Sequence, residues 1–456
     1  MGIEVLFVAL MFAAFMALLF TGYPVAFVLG GVGVLFALLG DALPLMGIDS
    51  LPVGSNFLGF ATDRIFSTVS NYSLVPMAMF VFMGYMLDRS GIADRLLDAL
   101  SLAMRRVPGG MALAVVLIGV ILAASTGIIG ASVILLATVA LPALSRSKTN
   151  LPLSLGLVAS SGCLGILIPP SIMLIVMGDQ LRLSVGDLFM AAVLPGLMLA
   201  GLYVLFVVIL AIVRPDLAPR PPAPEDGAST AEVLGKVVRA LILPLLLMVS
   251  VLGSIFAGIA SPTEASGIGA LGATLLAAID RKLSWKTIKD VCFATANTSA
   301  FLYGLIFGAT CFSVVLRGYG GDEVIEAAFT SLPLPPEGVL GLLLFIVFLL
   351  GFFLDWMEIV LIIAPLTVPV VTAMGFDPLW VAILLAMVLQ TSFLTPPVGM
   401  ALFYVKWTAP PGTRTSQVYK GVIPFVGLQL LAVGLLWMFP ELALWLPSTS
   451  GQGPSW

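Results

Sequence analysis

Two carboxylates stand in the middle of a long apolar run: Asp355 and Glu358 are the only charged residues between Val339 and Met374. A charge at that depth is costly unless it is paired, hydrated or used. Two kinds of chemistry suit it. One is the handling of an ion or substrate in transit; the other is capping of a half-helix that starts there, since a carboxylate accepts from free N–H groups at an N-terminus. Gln390, Thr391, Ser392, Thr395 and Gly399 form an oxygen- and glycine-rich set downstream. An earlier set has the same character: Ser125, Thr126, Gly127, Gly130 and Ser132, with Ser160, Ser161, Gly162 and Gly165. Hydroxyls and unwound carbonyls suit a hard cation such as sodium, while free N–H groups at a half-helix N-terminus favour an anion. The plainer reading is small-residue helix packing, with Ser and Thr bonded back to carbonyls. Negative charge at a tip disfavours a bound organic anion unless a cation intervenes, which would couple two ligands.

These sets have to be held by elements that recur. Pro169-Pro170 and Pro396-Pro397 are double prolines in apolar segments 227 residues apart, and Pro142 and Pro369 keep the same offset upstream. Proline breaks a helix by lacking an N–H and crowding the preceding turn. At membrane depth such breaks are tolerated only where protein or a water-filled cavity surrounds them. The expected first repeat, 1–213, holds three helices near 3–20, 24–40 and 67–87, a charged loop from Asp88 to Arg106, a hairpin over about 110–144, a helix over about 152–178 broken at Ser160-Ser161-Gly162 and at Pro169-Pro170, and a helix over 187–213. A polar, Pro-rich linker, 214–239, separates it from a second repeat, 240–456, with helices near 240–260, 263–279 and 291–316, an acidic loop carrying Asp322, Glu323, Glu326 and Glu337, a hairpin over about 339–374 and a broken helix over about 379–404. In such a repeat the binding site lies at the breaks.

Composition fixes the class. The chain of 456 residues is 60% hydrophobic and 10% charged and has no histidine, so an all-α polytopic membrane protein is expected. The segment from Ile3 to Phe20 reads as a membrane span rather than a cleavable signal, because Glu4 replaces a basic flank. Cys163, Cys292 and Cys311 are isolated in apolar surroundings, which supports neither a disulfide framework nor a thiol metal site. The missing histidines remove the commonest metal ligand and general base, and no cofactor and no nucleic-acid partner are expected.

Charge distribution orients the chain. With the N-terminus outside, 17 of the 20 Lys and Arg fall in cytoplasmic segments, and only Arg64, Arg182 and Arg317 fall elsewhere; cytoplasmic loops are where basic residues concentrate. Five crossings per half then make the second repeat inverted, with both termini periplasmic. The first hairpin enters from the cytoplasm and the second from the opposite face.

The runs Leu164-Gly165-Ile166-Leu167-Ile168-Pro169-Pro170-Ser171, Leu394-Thr395-Pro396-Pro397-Val398-Gly399, Ser261-Pro262-Thr263-Glu264-Ala265-Ser266 and Phe353-Leu354-Asp355 occur in one chain with Val75-Pro76-Met77-Ala78-Met79-Phe80. In that order, and from about residue 5 to 440, they resemble the large membrane (M) subunit of tripartite ATP-independent periplasmic (TRAP) transporters, DctM-like members of the ion-transporter superfamily. The resemblance implies an elevator-type, sodium-driven symporter of organic acids such as C4-dicarboxylates, in a bacterial inner membrane. It also implies a periplasmic substrate-binding (P) protein and a small four-helix membrane (Q) subunit, expected as a separate chain rather than fused ahead of Ile3. By motif, the tip from Ser125 to Ser132, the breaks from Ser161 to Ser171 and from Thr391 to Gly399, and Asp355 would line the sodium and substrate sites. Many members have a Gly-Ser-Gly-Pro-Ala-like first tip where this chain has Gly127-Ile128-Ile129-Gly130-Ala131-Ser132, and an Asn-rich approach where it has Gln390-Thr391-Ser392. Glu264 reads either as a cap or as a functional residue.

A self-sufficient sodium- or proton-coupled carboxylate carrier or antiporter would share the architecture without needing a binding protein. A membrane-embedded enzyme is disfavoured, since there is no HExxH and no histidine, and no GxxxxGK[ST] loop supports an ATP-driven pump.

Overall fold

The computed structural model describes residues 2–44, 53–126, 129–221 and 230–449, with backbone alone for 123–126, 230–234, 236 and 239. Every regular element among them is helical. The first series runs α1 (Gly2–Leu19), α2 (Val25–Ala42), α3 (Asn56–Val69), α4 (Val75–Arg89) and α5 (Ile92–Ala103). A hairpin of α6 (Gly110–Thr126) and α7 (Ile129–Arg146) follows, then the pieces α8 (Leu151–Cys163) and α9 (Ile172–Leu181), and then α10 (Val185–Val213). The second series repeats this order. It comprises α11 (Thr230–Phe256), α12 (Pro262–Ile279), α13 (Trp285–Gly318) and α14 (Gly321–Thr330), with a hairpin of α15 (Pro336–Leu350) and α16 (Trp356–Ala373). The pieces α17 (Pro378–Leu394) and α18 (Met400–Thr408) precede α19 (Thr415–Met438) and the short α20 (Glu441–Thr449).

The same local chemistry starts corresponding helices. Asn150 caps α8 with Pro152 in its first turn, and Asp377 caps α17 ahead of Pro378, accepting from Leu379 N at 2.8 Å and Trp380 N at 3.2 Å. Proline belongs in that first turn, where its missing N–H costs nothing. Pro142 and Pro369 both lie inside hairpin limbs, α7 and α16. Glu264 proves to be a cap: Ser261 and Glu264 bond reciprocally, Ser261 N to Glu264 Oε2 at 2.8 Å and Glu264 N to Ser261 Oγ at 3.3 Å.

The halves pack across one another. α13 lies along α2, and α12 along α4, which is the same pairing seen from either half. Backbones approach closely there: a Cβ on Gly308 would fall 2.2 Å from the Ala26 carbonyl oxygen, and one on Gly33 2.9 Å from that of Cys311. α8 crosses α19 more closely still, with a Cβ on Gly156 1.9 Å from the Gly421 oxygen and one on Gly421 1.9 Å from the Pro152 oxygen. Large apolar side chains such as Phe66, Ile259 and Trp407 remain exposed on the outside, as a lipid-facing surface requires.

Four expectations need correction. The charged segment 88–106 contains a helix, α5, whose Ile92, Ala93, Leu96, Leu97 and Leu100 form one buried stripe; half of its surface is polar, so an apolar window misses it. The acidic segment after Arg317 is likewise helical as α14. The linker is shorter than 214–239, because α11 begins at Thr230. The span expected from residue 67 reaches back to Asn56 with a 60° bend, while its counterpart α13 is one continuous helix of 34 residues.

Candidate functional site

The two double-proline breaks are built alike. α8 passes into a 3-10 turn over Leu164–Ile166, and a cis peptide joins Pro169 to Pro170 before α9. α17 ends at Leu394, and a cis peptide joins Pro396 to Pro397 before α18. Neighbouring polar groups answer the carbonyls left without a helical partner: the Ser171 hydroxyl donates to Ile166 O, and the Tyr419 hydroxyl to Pro397 O at 2.9 Å.

Ser160-Ser161-Gly162 is not a break. α8 continues through Cys163, and Ser160 Oγ donates to Leu157 O at 3.1 Å within the helix. Small residues there serve close packing instead. A Cβ on Gly119 of α6 would fall 2.6 Å from Ser161 Cβ, and one on Gly162 2.6 Å from Val133 Cγ2 of α7. Ser161 Oγ is nonetheless fully buried with no hydrogen bond. Gly165 is buried in the 3-10 turn.

The second set divides in the same way. Gln390, Thr391 and Ser392 are helical residues of α17, and only Thr395 and Gly399 belong to the break. Thr391 bonds back to Met387 O at 2.8 Å and Thr395 to Thr391 O at 2.7 Å. Ser392 Oγ donates to Phe348 O of α15 at 2.8 Å and lies against Gly351, whose added Cβ would meet it at 2.6 Å. Gln390 sits with Gln429 of α19 beside the Tyr203 hydroxyl of α10, all three buried and out of hydrogen-bonding geometry.

At the second tip Asp355 is the N-cap of α16, accepting from Trp356 N at 2.9 Å. Glu358, one turn on, is 3% exposed, and its Oε2 has no hydrogen-bond partner. A π turn over Ile359–Ile363 follows, a local widening common where a helix serves a site. At the first tip Ser125 and Thr126 end α6, but their side chains and Gly127 lie outside the described residues. Gly130 opens the next limb and Ser132 is buried on it.

The tips are joined by exchange. α9, leaving the first break, packs on α16 and its π turn; α18, leaving the second, packs on α7 and α8. Each half's post-break helix thus buttresses the other half's hairpin. Tyr404 of α18, not anticipated from the sequence, lies against Gly130, and the Asp355 carboxylate acts electrostatically on its hydroxyl. The sequence signal was present as the one phenol within the nine residues of α18, Met400–Thr408. No group of three or more His, Cys, Asp or Glu that could hold a metal occurs among the described residues; a buried carboxylate oxygen without a partner is nevertheless suited to a hard monovalent cation.

Two like helical series, each with a hairpin and a proline-broken helix, define a multi-span membrane permease rather than an enzyme. The family model of the DctM component of tripartite ATP-independent periplasmic transporters matches residues 12–442, and the chain belongs to that family. It is 31% identical over 390 residues to the C4-dicarboxylate TRAP transporter large permease protein DctM of Pseudomonas aeruginosa, covering 85% of this chain and 89% of that protein. It is 25% identical over 434 residues to the sialic acid TRAP transporter large permease protein SiaM of Vibrio cholerae, covering 95% and 96%. The crystal structure of the Alcanivorax borkumensis YdaH transporter has the same fold, with TM-score 0.64 at 14% identity over 92% of this chain and 98% of that one.

Proposed function

We propose that the chain is the large permease subunit of a sodium-coupled importer of organic acids, working with a small membrane subunit and a periplasmic binding protein in a bacterial inner membrane. The observation that carries this reading is Glu358: a buried carboxylate whose Oε2 lacks a partner, beside the capping Asp355 at the start of α16. An unpaired charge in that position is tolerated where a cation neutralises it. Sodium bound there makes the tip acceptable to an anion, which ties the two ligands together. The relatives named above are permeases for C4-dicarboxylates and sialic acid, and both solutes are carboxylic acids. The two helical series, α1 to α10 and α11 to α20, act as inverted repeats with both termini periplasmic. The hairpins, the broken helices and α19, which crosses α8 backbone to backbone, move as a unit past the remaining helices.

The test is reconstitution of the chain with its small subunit in liposomes, with a loaded binding protein outside. Uptake should require an inward sodium gradient and the binding protein. Uptake indifferent to sodium would remove the coupling role from Glu358, and uptake without binding protein would favour the self-sufficient carrier. Disulfide cross-links between α13 and α16 should trap the permease; unaltered uptake in every cross-linked pair would argue against the slide.

A further inference from the structure

Arg64, Arg182 and Arg317, the three cations that the charge bias leaves apart from the others, are gathered by the fold. Widely separated in sequence, they line one cavity of about 340 Å³ between α3, the end of α9, α13 and α16. Arg64 and Arg317 stand on α3 and α13. Arg182 caps the C-terminus of α9 with φ +57°. Each of the three contributes to one field: the charges acting on Arg64 are Arg317, Arg182 and Asp322.

Two carboxylates face this cluster. Asp179 lines the cavity and is engaged by Asn71 Nδ2 at 2.6 Å and Gln180 Nε2 at 3.0 Å. Asp322 lies 3.3 Å from Arg317 Nε, yet its side chain is 50% exposed and the Nε is buried without a hydrogen bond. Three guanidinium groups against two carboxylates leave a positive excess in a concave, partly desolvated space, where like charges repel unless an anion joins them. The inner wall is Leu361, Ile362 and Pro365 of α16, within two turns of Glu358. The volume suits a small molecule: ligand pockets begin at about 300 Å³.

We propose that this cavity is a vestibule that receives an organic carboxylate before it reaches the site at Asp355, Glu358 and Tyr404. The proposal rests on the reading that the transported solute is an organic acid. Arg182 is carried on α9, which packs on α16, whereas Arg64 and Arg317 are on α3 and α13. Displacement of α9 with α16 would therefore disperse the cluster, and a bound anion favours the arrangement that keeps the three together.

The test needs no transport. In the full chain with its small subunit, Cys163, Cys292 and Cys311 are replaced, and Ser313→Cys, or Ser67→Cys as a second probe, places one thiol in the cavity wall. With each rate divided by that reagent's rate with a free thiol in solution, anionic 2-sulfonatoethyl methanethiosulfonate should modify it faster than the cationic trimethylammonium reagent by on the order of tenfold. Arg64→Gln with Arg182→Gln should bring the rates toward parity, and succinate should protect the thiol where sodium chloride of equal ionic strength does not. Equal rates in the unneutralised protein, or no protection by succinate, would overturn the proposal. So would neutralisation that leaves labelling unchanged but abolishes uptake only from the binding protein, which would make the cluster a protein-docking face. Because labelling is read without uptake, sodium-independent transport would overturn the importer reading and leave the vestibule standing; equal labelling rates with intact sodium-driven uptake would do the reverse.

Discussion

The ring of Tyr404 closes over Gly130: a Cβ on that glycine would fall 3.0 Å from the tyrosine Cζ and 3.2 Å from its hydroxyl oxygen. One residue comes from the first hairpin and the other from the helix that leaves the second break, so the two half-sites meet at this contact. Gly130→Ala should lower both thermal stability and uptake, and Tyr404→Leu, which removes the ring, should relieve the clash. The double variant should recover on the order of 1 kcal/mol relative to the sum of the single ones. Strict additivity in a thermal-unfolding cycle would separate the two residues.

Glu358→Gln removes a buried charge while keeping its shape. In sodium-free buffer the variant should unfold at the same temperature as the native chain or higher, since an unpaired buried carboxylate is itself destabilising. Sodium should then stabilise only the native chain, by about 2.7 kcal/mol at a concentration a hundredfold above its dissociation constant. Equal stabilisation of both proteins would place the ion elsewhere.

The crossing of α8 and α19 leaves no room for a methyl group. Gly156→Ala or Gly421→Ala should cost about 3 kcal/mol by overpacking, because the atoms in the way are backbone and cannot rotate aside. Gly427→Ala and Gly434→Ala, on the same α19 with nothing within 4 Å of the added Cβ, should be silent in the same unfolding assay. A similar loss at all four positions would mean that helix α19 itself, rather than the crossing, is sensitive.

The repeat, the hairpins and the proline breaks were legible because each leaves a mark in one dimension: a long apolar run, a double proline, a common offset. Asp355 was legible for the same reason, as a charge where none belongs. Where Ser160, Gln390 and Ser392 point was not, since a hydroxyl or amide in a helix has the same sequence signature whether it bonds its own turn, a neighbouring carbonyl such as Phe348 O, or a ligand. Tyr404 and the arginine cavity depend on contacts between distant segments. Charge bias did single out Arg64, Arg182 and Arg317, but only as exceptions; their convergence is a property of the packing.

Arg95 of α5 and the C-cap Asp280 of α12 form a two-pronged ion pair between the halves. The arginine side chain is 44% exposed, so water screens the attraction. A double-mutant cycle with Arg95→Ala and Asp280→Ala should return a coupling of about 1 kcal/mol or less. A much larger coupling would mark this contact as a structural clamp between α5 and α12.

The Gly156 and Gly421 contact also bears on how motion in this protein can be observed. Two helices that touch backbone to backbone cannot slip past each other by rotating side chains, so α19 must follow wherever α8 goes. The chain's last full-length helix is therefore a natural handle on its interior: a fluorophore or spin label placed on the exposed face of α20, immediately after α19, would register displacement of the first broken helix without any change made near the site.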